Sequence, residues 1–333
     1  MGEGVDMKPL VSVVMPAYNG EKYIGEAIDS ILNQTYDNFE LIIIEDKSTD
    51  RTLDVIRGYK DSRISLYLNS SNHGIAYSTN LGIARSKGKY IALLDDDDIA
   101  TEHRLEWQVE FMEKYSDVDI LGGRSVYIDE HGDFIQYNLE PLRNPKFIKA
   151  LLLFSNEKFA NDTAMIRKSF MEKNKLKYKE GCLGMQDFKF YIDSSKIGTI
   201  TAIDRLILLK RIHEEEATNK SMKYYADERA KLYAQFQRES IKMSGFQLKE
   251  EELQIINESL AEILKKSYTK EEVISIYNIL NKMIRQAKEM KIDYLKELEQ
   301  VCKKILLKTI LVRVDIFDSF MNKCAADNKE IQL

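Results

Sequence analysis

Apolar and polar positions alternate in blocks through the first hundred residues. Short runs rich in Val, Ile and Leu predict four strands, at residues 10–15, 39–44, 64–68 and 90–94. Between these runs, apolar residues recur at helical spacing and predict helices at about 21–33, 52–58 and 75–86. Because strands and helices alternate, we expect right-handed crossovers and a mostly parallel sheet with helices on both faces.

The fourth predicted strand runs directly into four consecutive acids, Asp95–Asp98. In parallel sheets, chemistry is concentrated at the carboxyl ends of the strands, and adjacent carboxylates in a cleft repel one another unless a cation offsets them. Asp95 and Asp97 project to the same side of an extended chain, and their oxygens suit a hard divalent ion such as Mn²⁺ or Mg²⁺. The alternative interpretation is a solvated acidic turn before a helix that begins near Thr101.

The pattern changes in the second half of the chain. Two short strands are predicted at 120–123 and 125–128, and the prolines end at Pro145. Lys, Glu, Leu and Ile then dominate, and three helices are expected at about 222–243, 250–266 and 292–322. A capping box, Thr269–Glu272, predicts the start of a further helix. We therefore expect two domains, 1–220 and 221–333.

The last predicted helix, 292–322, is apolar on more than one side. Such a helix needs more than one packing partner, so a homo-oligomer formed partly through the C-terminal helices is expected. Peripheral contact with a membrane surface is the alternative, but the polar face mixes acidic and basic residues and favours protein contacts. No run approaches the roughly 18 apolar residues of a transmembrane helix.

Composition narrows the class of protein. A net charge of −5 argues against a nucleic-acid-binding protein, which would present a basic face. The three cysteines show no metal-binding spacing and no disulfide framework. The polar N-terminus is not typical of a signal peptide. We therefore expect a cytoplasmic protein, with the inner membrane surface as a further setting.

Five segments together resemble the family 2 glycosyltransferases, which have the GT-A nucleotide-sugar-binding fold. In order, they are Val11–Asn19, Ser30–Tyr36, Glu45–Asp50, Asn72–Asn80 with Gly88, and Leu94–Ile99. The resemblance covers roughly residues 9–220 and implies a Rossmann-like α/β domain followed by a C-terminal α-helical region. Glu45 and Lys47 depart from the family pattern.

The resemblance implies roles for residues along this sheet edge. Asp46 would accept a hydrogen bond from uracil N3–H, with a helix cap as its alternative role. Asp95 would contact the ribose or reach the metal through water, and Asp97 would bind the metal directly. The remaining nucleotide-binding residues implied by the resemblance are Pro16, Ala17, Tyr18, Asn19, Asn72, Gly74, Asn80 and Asp96.

Two later segments extend the resemblance. Gln186-Asp187 is similar to a Glu-Asp pair whose Asp is the general base that deprotonates the acceptor; a helix N-cap is the alternative for Asp187. At the end of a predicted apolar run, Arg211 and His213 match a Tyr-Arg-x-His pattern in which Lys210 replaces the Tyr. In the family this loop covers the diphosphate, so Arg211 is expected to bind phosphate, and His213 to bind the metal or donate to phosphate. A surface histidine is the alternative for His213.

The sequence therefore predicts an inverting, metal-dependent glycosyltransferase. It would move a hexose from UDP-Glc, UDP-Gal or UDP-GlcNAc to a hydroxyl of a glycan acceptor on a protein or lipid carrier. The departures at Glu45, Lys47 and Gln186 support one alternative, a catalytically degraded nucleotide-sugar-binding or scaffold subunit of a glycosylation complex.

Overall fold

The computed structural model describes residues 8–137, 142–155, 159–214, 216–261 and 268–311. These residues form two compact units. The first unit consists of residues 8–137, 142–143, 159–190, 197–214 and 216–221. The second consists of residues 144–155, 191–196, 222–261 and 268–311. The expected domain boundary between residues 220 and 221 stays a prediction.

The first unit is built on one sheet, with nine strands among the described residues. The strands are β1 (Val11–Ala17), β2 (Phe39–Glu45), β3 (Ile64–Leu68), β4 (Tyr90–Leu93), β5 (Ile99–Ala100), β6 (Ile120–Ile128), β7 (Phe134–Tyr137), β8 (Met165–Arg167) and β9 (Ile200–Arg211). Their order is β3-β2-β1-β4-β8-β6-β9-β5, with β7 paired to β6.

Helices connect these strands and form most of the second unit. They are α1 (Ile24–Leu32), α2 (Thr52–Gly58), α3 (Ile75–Arg85), α4 (Arg104–Lys114), α5 (Pro145–Leu151), α6 (Lys168–Asn174), α7 (Gln186–Ser195), α8 (Ala217–Tyr224), α9 (Ala226–Met243), α10 (Glu250–Ala261), α11 (Lys270–Met290) and α12 (Leu295–Leu311). A short 3₁₀ helix, Asn161–Thr163, precedes β8.

Strands β3, β2, β1 and β4 are parallel to one another, as the alternation of the sequence predicts. Nearly every residue of β1, β2 and β4 is buried, because helices cover both faces of this half of the sheet. Helix α3 packs so closely that a Cβ on Gly82 would lie 2.4 Å from Val14 Cγ1. The GT-A-type α/β fold expected from the sequence is confirmed.

The other half of the sheet is mixed. Strand β8 is antiparallel to both β4 and β6, and β6 is parallel to β9. The prediction of two short strands, at 120–123 and 125–128, is wrong, because the single strand β6 runs through Gly122 and Gly123. These glycines allow close approach instead: a Cβ on Gly123 would lie 2.5 Å from Ile207 Cδ1, and one on Gly122 would lie 3.0 Å from Phe159 Cζ.

The second unit has its own apolar core, formed mainly by α9 to α12 and α5. The expected helix over 222–243 is divided at Tyr225, where α8 ends and α9 begins. The apolar stripe of α12 is buried in this core, as shown by Leu298, Cys302, Leu306 and Ile310. Residues 262–266 and 312–322, which also belong to predicted helices, lie outside the described residues. Within the described ranges, no helix is both long and apolar enough to cross a membrane.

The predicted capping box at Thr269 is confirmed: its hydroxyl accepts from Glu272 N at 3.2 Å, and Glu272 Oε2 accepts from Thr269 N at 2.7 Å. We expect Thr269→Ala to lower the free energy of unfolding by about 1 kcal/mol, because it leaves a backbone donor of α11 without its acceptor. Urea unfolding followed by circular dichroism measures this change. Ser275→Ala in the same helix is the matched control, and an equal loss there would contradict a capping effect.

Candidate active site

Three of the four acids that follow β4 contact different neighbours. Asp96 Oδ2 accepts from Tyr18 N at 3.0 Å, which ties the acidic loop to the end of β1. Asp97 Oδ2 lies 2.9 Å from His213 Nε2. Asp98 Oδ1 accepts from Arg211 N at 2.9 Å and is buried. Residues at the ends of β1 and β9 thus contact different acids of the loop at one edge of the sheet.

Three of these acids form a candidate metal centre. One carboxylate oxygen from each of Asp95, Asp97 and Asp98 can be chosen so that all three lie within 4.8 Å of one another. Their oxygens are the ligands that Mg²⁺ and Mn²⁺ prefer. Asp98 Oδ2 is buried and has no hydrogen-bond partner among the described residues, which fits a site that a cation completes. The roles of Asp95 and Asp97 as metal ligands stay a prediction.

Burial dominates the electrostatics of the acidic loop. It raises the pKa of Asp95 to about 7, with Asp162, Asp97 and Asp187 adding to the effect and Lys210 opposing it. Burial also raises the pKa of Asp96 and of Asp98 well above the usual value. The cleft therefore holds protons that solvent-exposed aspartates would release, and a bound cation would compete with them.

An ion pair between a partly exposed lysine and a buried aspartate lies beside these acids. Lys210, near the end of β9, donates to Asp162 Oδ2 in the 3₁₀ helix. Its Nζ also lies 4.0 Å from Asp98 Oδ2. The pKa of Asp162 is lowered although burial alone would raise it, because Lys210 is so close. In the sequence, Lys210 is only a departure from the family pattern, and no spacing rule connects it to a residue 48 positions away.

Asp187 lies in the first turn of α7, which begins at Gln186. Its carboxylate is partly exposed and close enough to Asp95 to raise that residue's pKa. Asp187 Oδ1 also accepts from Phe188 N at 2.7 Å. Asp187 is thus placed within electrostatic reach of the candidate metal centre, while one of its oxygens has a local backbone donor.

The loops that follow β1 and β2 are joined by hydrogen bonds. Ala17 O accepts from Asp46 N at 2.9 Å, and Asn19 Oδ1 accepts from Thr49 N at 2.8 Å. Asn19 has a left-handed backbone with φ of 54°, a conformation that Asn tolerates well. Tyr18, which follows Pro16 and Ala17, leaves 43% of its surface exposed. A ligand at this edge would therefore meet the Tyr18 ring on a rigid turn.

Asp46 is buried and organises the loop before α3. Its Oδ1 accepts from Asn69 Nδ2 at 2.6 Å and from His73 N at 3.0 Å, and its Oδ2 accepts from Gly74 N at 2.7 Å. Asn72 Oδ1 accepts a second bond from Gly74 N at 3.0 Å. Three of the roughly four lone-pair positions of the Asp46 carboxylate are thereby used, which leaves one for a ligand donor.

Asn80 is placed differently from the other predicted nucleotide-binding residues. Its Nδ2 donates to Tyr178 O at 2.8 Å, and its Oδ1 accepts from Tyr178 N at 2.9 Å. Both ends of the amide are therefore directed at one backbone segment of the first unit. Asn80 positions that segment, and a direct nucleotide contact for it stays a prediction.

Arg211 is the last residue of β9 and His213 lies two residues beyond it, and their side chains have different partners. The Arg211 guanidinium is buried and donates to Glu26 Oε2 at 2.8 Å, to Asp97 O at 3.1 Å, and to Asp129 O and Glu130 O at 3.2 and 3.3 Å. Its predicted contact with phosphate stays a prediction, since these partners already take most of its donors. His213 Nε2 lies 2.9 Å from Asp97 Oδ2, and its role as a metal ligand stays a prediction.

Comparisons with known proteins agree with this geometry. The sequence model of the family described as "Glycosyl transferase family 2" matches residues 12–174. A protein of Haemophilus influenzae named as an uncharacterized glycosyltransferase is 32% identical over 243 residues, which cover 70% of this chain and 73% of the relative. Another, of Methanocaldococcus jannaschii, is 41% identical over 56% of this chain and 64% of its own length.

The fold is also similar to solved structures. The structure of S. aureus TarS 1-349 in complex with UDP-GlcNAc matches with a TM-score of 0.60 and 16% sequence identity. The match covers 94% of this chain and 92% of that one. At this identity the likeness shows a shared fold, and the described residues supply the chemistry.

The raised pKa of Asp95 predicts a pH-dependent stability for the metal-free protein. The folded state holds a proton to about pH 7, whereas an unfolded aspartate releases it near pH 4, so the free energy of unfolding falls as the pH rises between those values. We expect Asp95 to contribute about 1 kcal/mol more stability at pH 6 than at pH 8. Urea unfolding in EDTA at both values measures the difference.

Asp95→Asn should reduce this difference by the same amount. Asp117→Asn, at an exposed position, controls for the loss of an acid as such. An unchanged pH dependence in Asp95→Asn would assign the effect to other groups.

Proposed function

This chain belongs to glycosyltransferase family 2, and from that premise we propose that it transfers a hexose from a UDP-sugar to a hydroxyl of a glycan acceptor. The donor would be UDP-Glc, UDP-Gal or UDP-GlcNAc, and the acceptor would be carried on a protein or a lipid. A structure with this fold binds UDP-GlcNAc, which supports a uridine donor.

One observation carries the proposal: Asp187 lies within electrostatic reach of the acids that form the candidate metal centre. An inverting transferase needs a base on one side of the anomeric carbon and stabilisation of the leaving diphosphate on the other. Both kinds of group occur here in the first unit. The acidic run alone would not distinguish a transferase from a cation-binding protein.

The donor would bind along the carboxyl ends of β1, β2 and β4. The uracil would lie beside Tyr18 and use the remaining acceptor position of Asp46. Asn72 and Gly74 would bound the nucleotide pocket from the loop that Asp46 organises. Asp96 would act by fixing the backbone at Tyr18.

Asp95 and Asp97 would hold Mn²⁺ or Mg²⁺, with His213 beside Asp97. When bound, such an ion supplies positive charge that stabilises the leaving diphosphate. Asp95 and Asp97 lie on a short loop between β4 and β5, so the two strands would hold their carboxylates in place before an ion binds.

Asp187 would act as general base. Its carboxylate takes the proton of the acceptor hydroxyl while that oxygen forms a bond to the anomeric carbon, and the bond from that carbon to the diphosphate oxygen breaks. The electron pair leaves with UDP, and attack opposite the leaving group inverts the configuration. A partly exposed carboxylate near other acids is suited to hold the proton in the transition state.

We expect EDTA to abolish UDP release from the UDP-sugar, and Mn²⁺ or Mg²⁺ to restore it. Asp97→Asn should remove most activity and leave the thermal transition of the metal-free protein unchanged or raised, because one of four adjacent acids loses its charge. A panel of UDP-sugars, with UDP release and product masses measured, provides the assay. Undiminished turnover in EDTA would exclude the metal from the reaction.

We expect Asp187→Asn to lower kcat by about 10²–10⁴-fold, because the amide keeps the shape but cannot accept the proton. The affinity for the UDP-sugar, measured by calorimetry, should stay nearly intact. Asp193→Asn, in the same helix, is the matched control. An Asp187→Asn variant within threefold of wild type would move the base elsewhere, and Asp162 would be tested next.

The alternative, a degraded nucleotide-sugar-binding or scaffold subunit, predicts UDP-sugar affinity without turnover. Its support is that Glu45, Lys47 and Gln186 stand at positions where the family pattern has other residues. Glu45 is buried and its Oε1 accepts from Ser48 N at 2.5 Å, so it stabilises the turn after β2. That structural role is compatible with an active enzyme.

Assembly and location are proposed separately. The described part of α12 is buried in the core of its own unit, so the apolar residues Leu298 to Ile310 do not need a second subunit to cover them. Residues 312–322 lie outside the described residues, and a homo-oligomer formed partly through the C-terminal helices stays a prediction. A cytoplasmic location, with peripheral membrane contact, stays a prediction.

A further inference from the structure

The ion pair between Lys210 and Asp162 lies next to the candidate metal centre but is not part of it. Lys210 donates to Asp162 Oδ2, and its Nζ is 4.0 Å from Asp98 Oδ2. Asp162 and Asp98 are each about 1% exposed. The ammonium therefore lies between two buried carboxylates that belong to different loops of the first unit.

Two oxygens in this cluster have no hydrogen-bond donor among the described residues, namely Asp98 Oδ2 and Asp162 Oδ1. Leaving a buried carboxylate oxygen without a donor is costly unless a nearby charge compensates. Lys210 supplies that charge from one side, and the buried guanidinium of Arg104 adds to it electrostatically. Arg104 itself is fixed by its bond to Leu93 O at 2.7 Å.

The other oxygen of Asp98 is also committed to the protein, since Oδ1 accepts from Arg211 N at 2.9 Å. Asp98 is thus held by β9 through both oxygens, by a hydrogen bond on one and by charge on the other. Asp97, by contrast, contacts His213 and is partly exposed. The three acids of the candidate centre are therefore not equivalent.

We propose that Lys210 is a positioning residue that holds the carboxylates of Asp98 and Asp162 in place beside the acidic loop and offsets part of their charge. Asp95 and Asp97 would hold the ion. Lys210 also weakens ion binding by its own positive charge. This inference rests on the proposed metal-dependent function and names the residue that limits metal affinity.

The charge of Lys210 changes the affinity for a divalent ion in a definite direction. A lysine within a few ångströms of an acid cluster repels a divalent ion about twice as strongly as the single proton that competes for the same oxygens. Removing the ammonium therefore tightens metal binding even where it also favours protonation. Removing Asp162 has the opposite effect, because the charge of Lys210 is no longer offset.

The test is a titration with Mn²⁺ alone, in which the electron paramagnetic resonance signal of free Mn²⁺ gives the dissociation constant. Lys210→Met should bind Mn²⁺ about tenfold more tightly than wild type. Lys210→Arg, which keeps the charge, should stay within threefold. Asp162→Asn should bind Mn²⁺ several-fold more weakly. A purely structural role for the pair would weaken binding in both Lys210→Met and Asp162→Asn.

Lys282→Met is the matched control. Lys282 pairs with Glu252 at 2.6 Å in the second unit, and its side chain is 29% exposed against 27% for Lys210. Its Mn²⁺ affinity should equal that of wild type. If Lys210→Met does not fold, Lys210→Gln replaces it: tighter Mn²⁺ binding than wild type supports the inference, and unchanged or weaker binding overturns it.

The outcomes separate this inference from the proposed function. Lys210→Met with unchanged or weaker Mn²⁺ binding overturns the role of Lys210, while UDP release in the wild type can still be metal-dependent. If neither wild type nor Lys210→Met binds Mn²⁺, the inference is overturned, and UDP release in EDTA then decides on the transferase itself. Mn²⁺ binding by Lys210→Met that Asp97→Asn abolishes places the tightened site on the predicted ligands.

Discussion

The structure depends on how a folded chain tolerates a concentration of negative charge at the end of a buried strand. Strand β4 brings four consecutive aspartates to the sheet edge, and Asp162 lies close by. Carboxylates removed from water cannot all be ionised without positive groups nearby. Other elements of the first unit bring these positive groups to the acidic loop.

Strand β9 supplies most of the compensation. It brings Lys210 against Asp162 and Asp98, and the backbone N–H of Arg211 against Asp98, while His213 follows to meet Asp97. The end of β9, which pairs with β6, and the residues after it therefore bring three different groups to the acidic loop. The antiparallel β8 contributes the segment that carries Asp162 on its amino-terminal side. The mixed half of the sheet thus has an electrostatic function that the parallel half does not share.

The sequence predicted the first four strands, their connecting helices and the acidic loop, because each of these is encoded by local periodicity or by neighbouring residues. It did not predict the Lys210–Asp162 pair, since two residues 48 positions apart are brought together only by strand order. Continuous β6 was misjudged because Gly122-Gly123 has the composition of a turn, whereas here the glycines admit Ile207 and Phe159. Asn80 matched a motif, but its amide proved to be satisfied by Tyr178, a partner that no local pattern reveals.

Arg211 has a mechanical consequence beyond its charge. Its planar guanidinium joins the first-helix residue Glu26, the acidic loop at Asp97 O, and the turn between β6 and β7 at Asp129 O and Glu130 O. Because one rigid group makes all of these bonds, the three segments cannot shift independently without breaking at least one of them. Displacement of the β6–β7 turn is therefore transmitted through the Arg211 guanidinium to the backbone of the acidic loop.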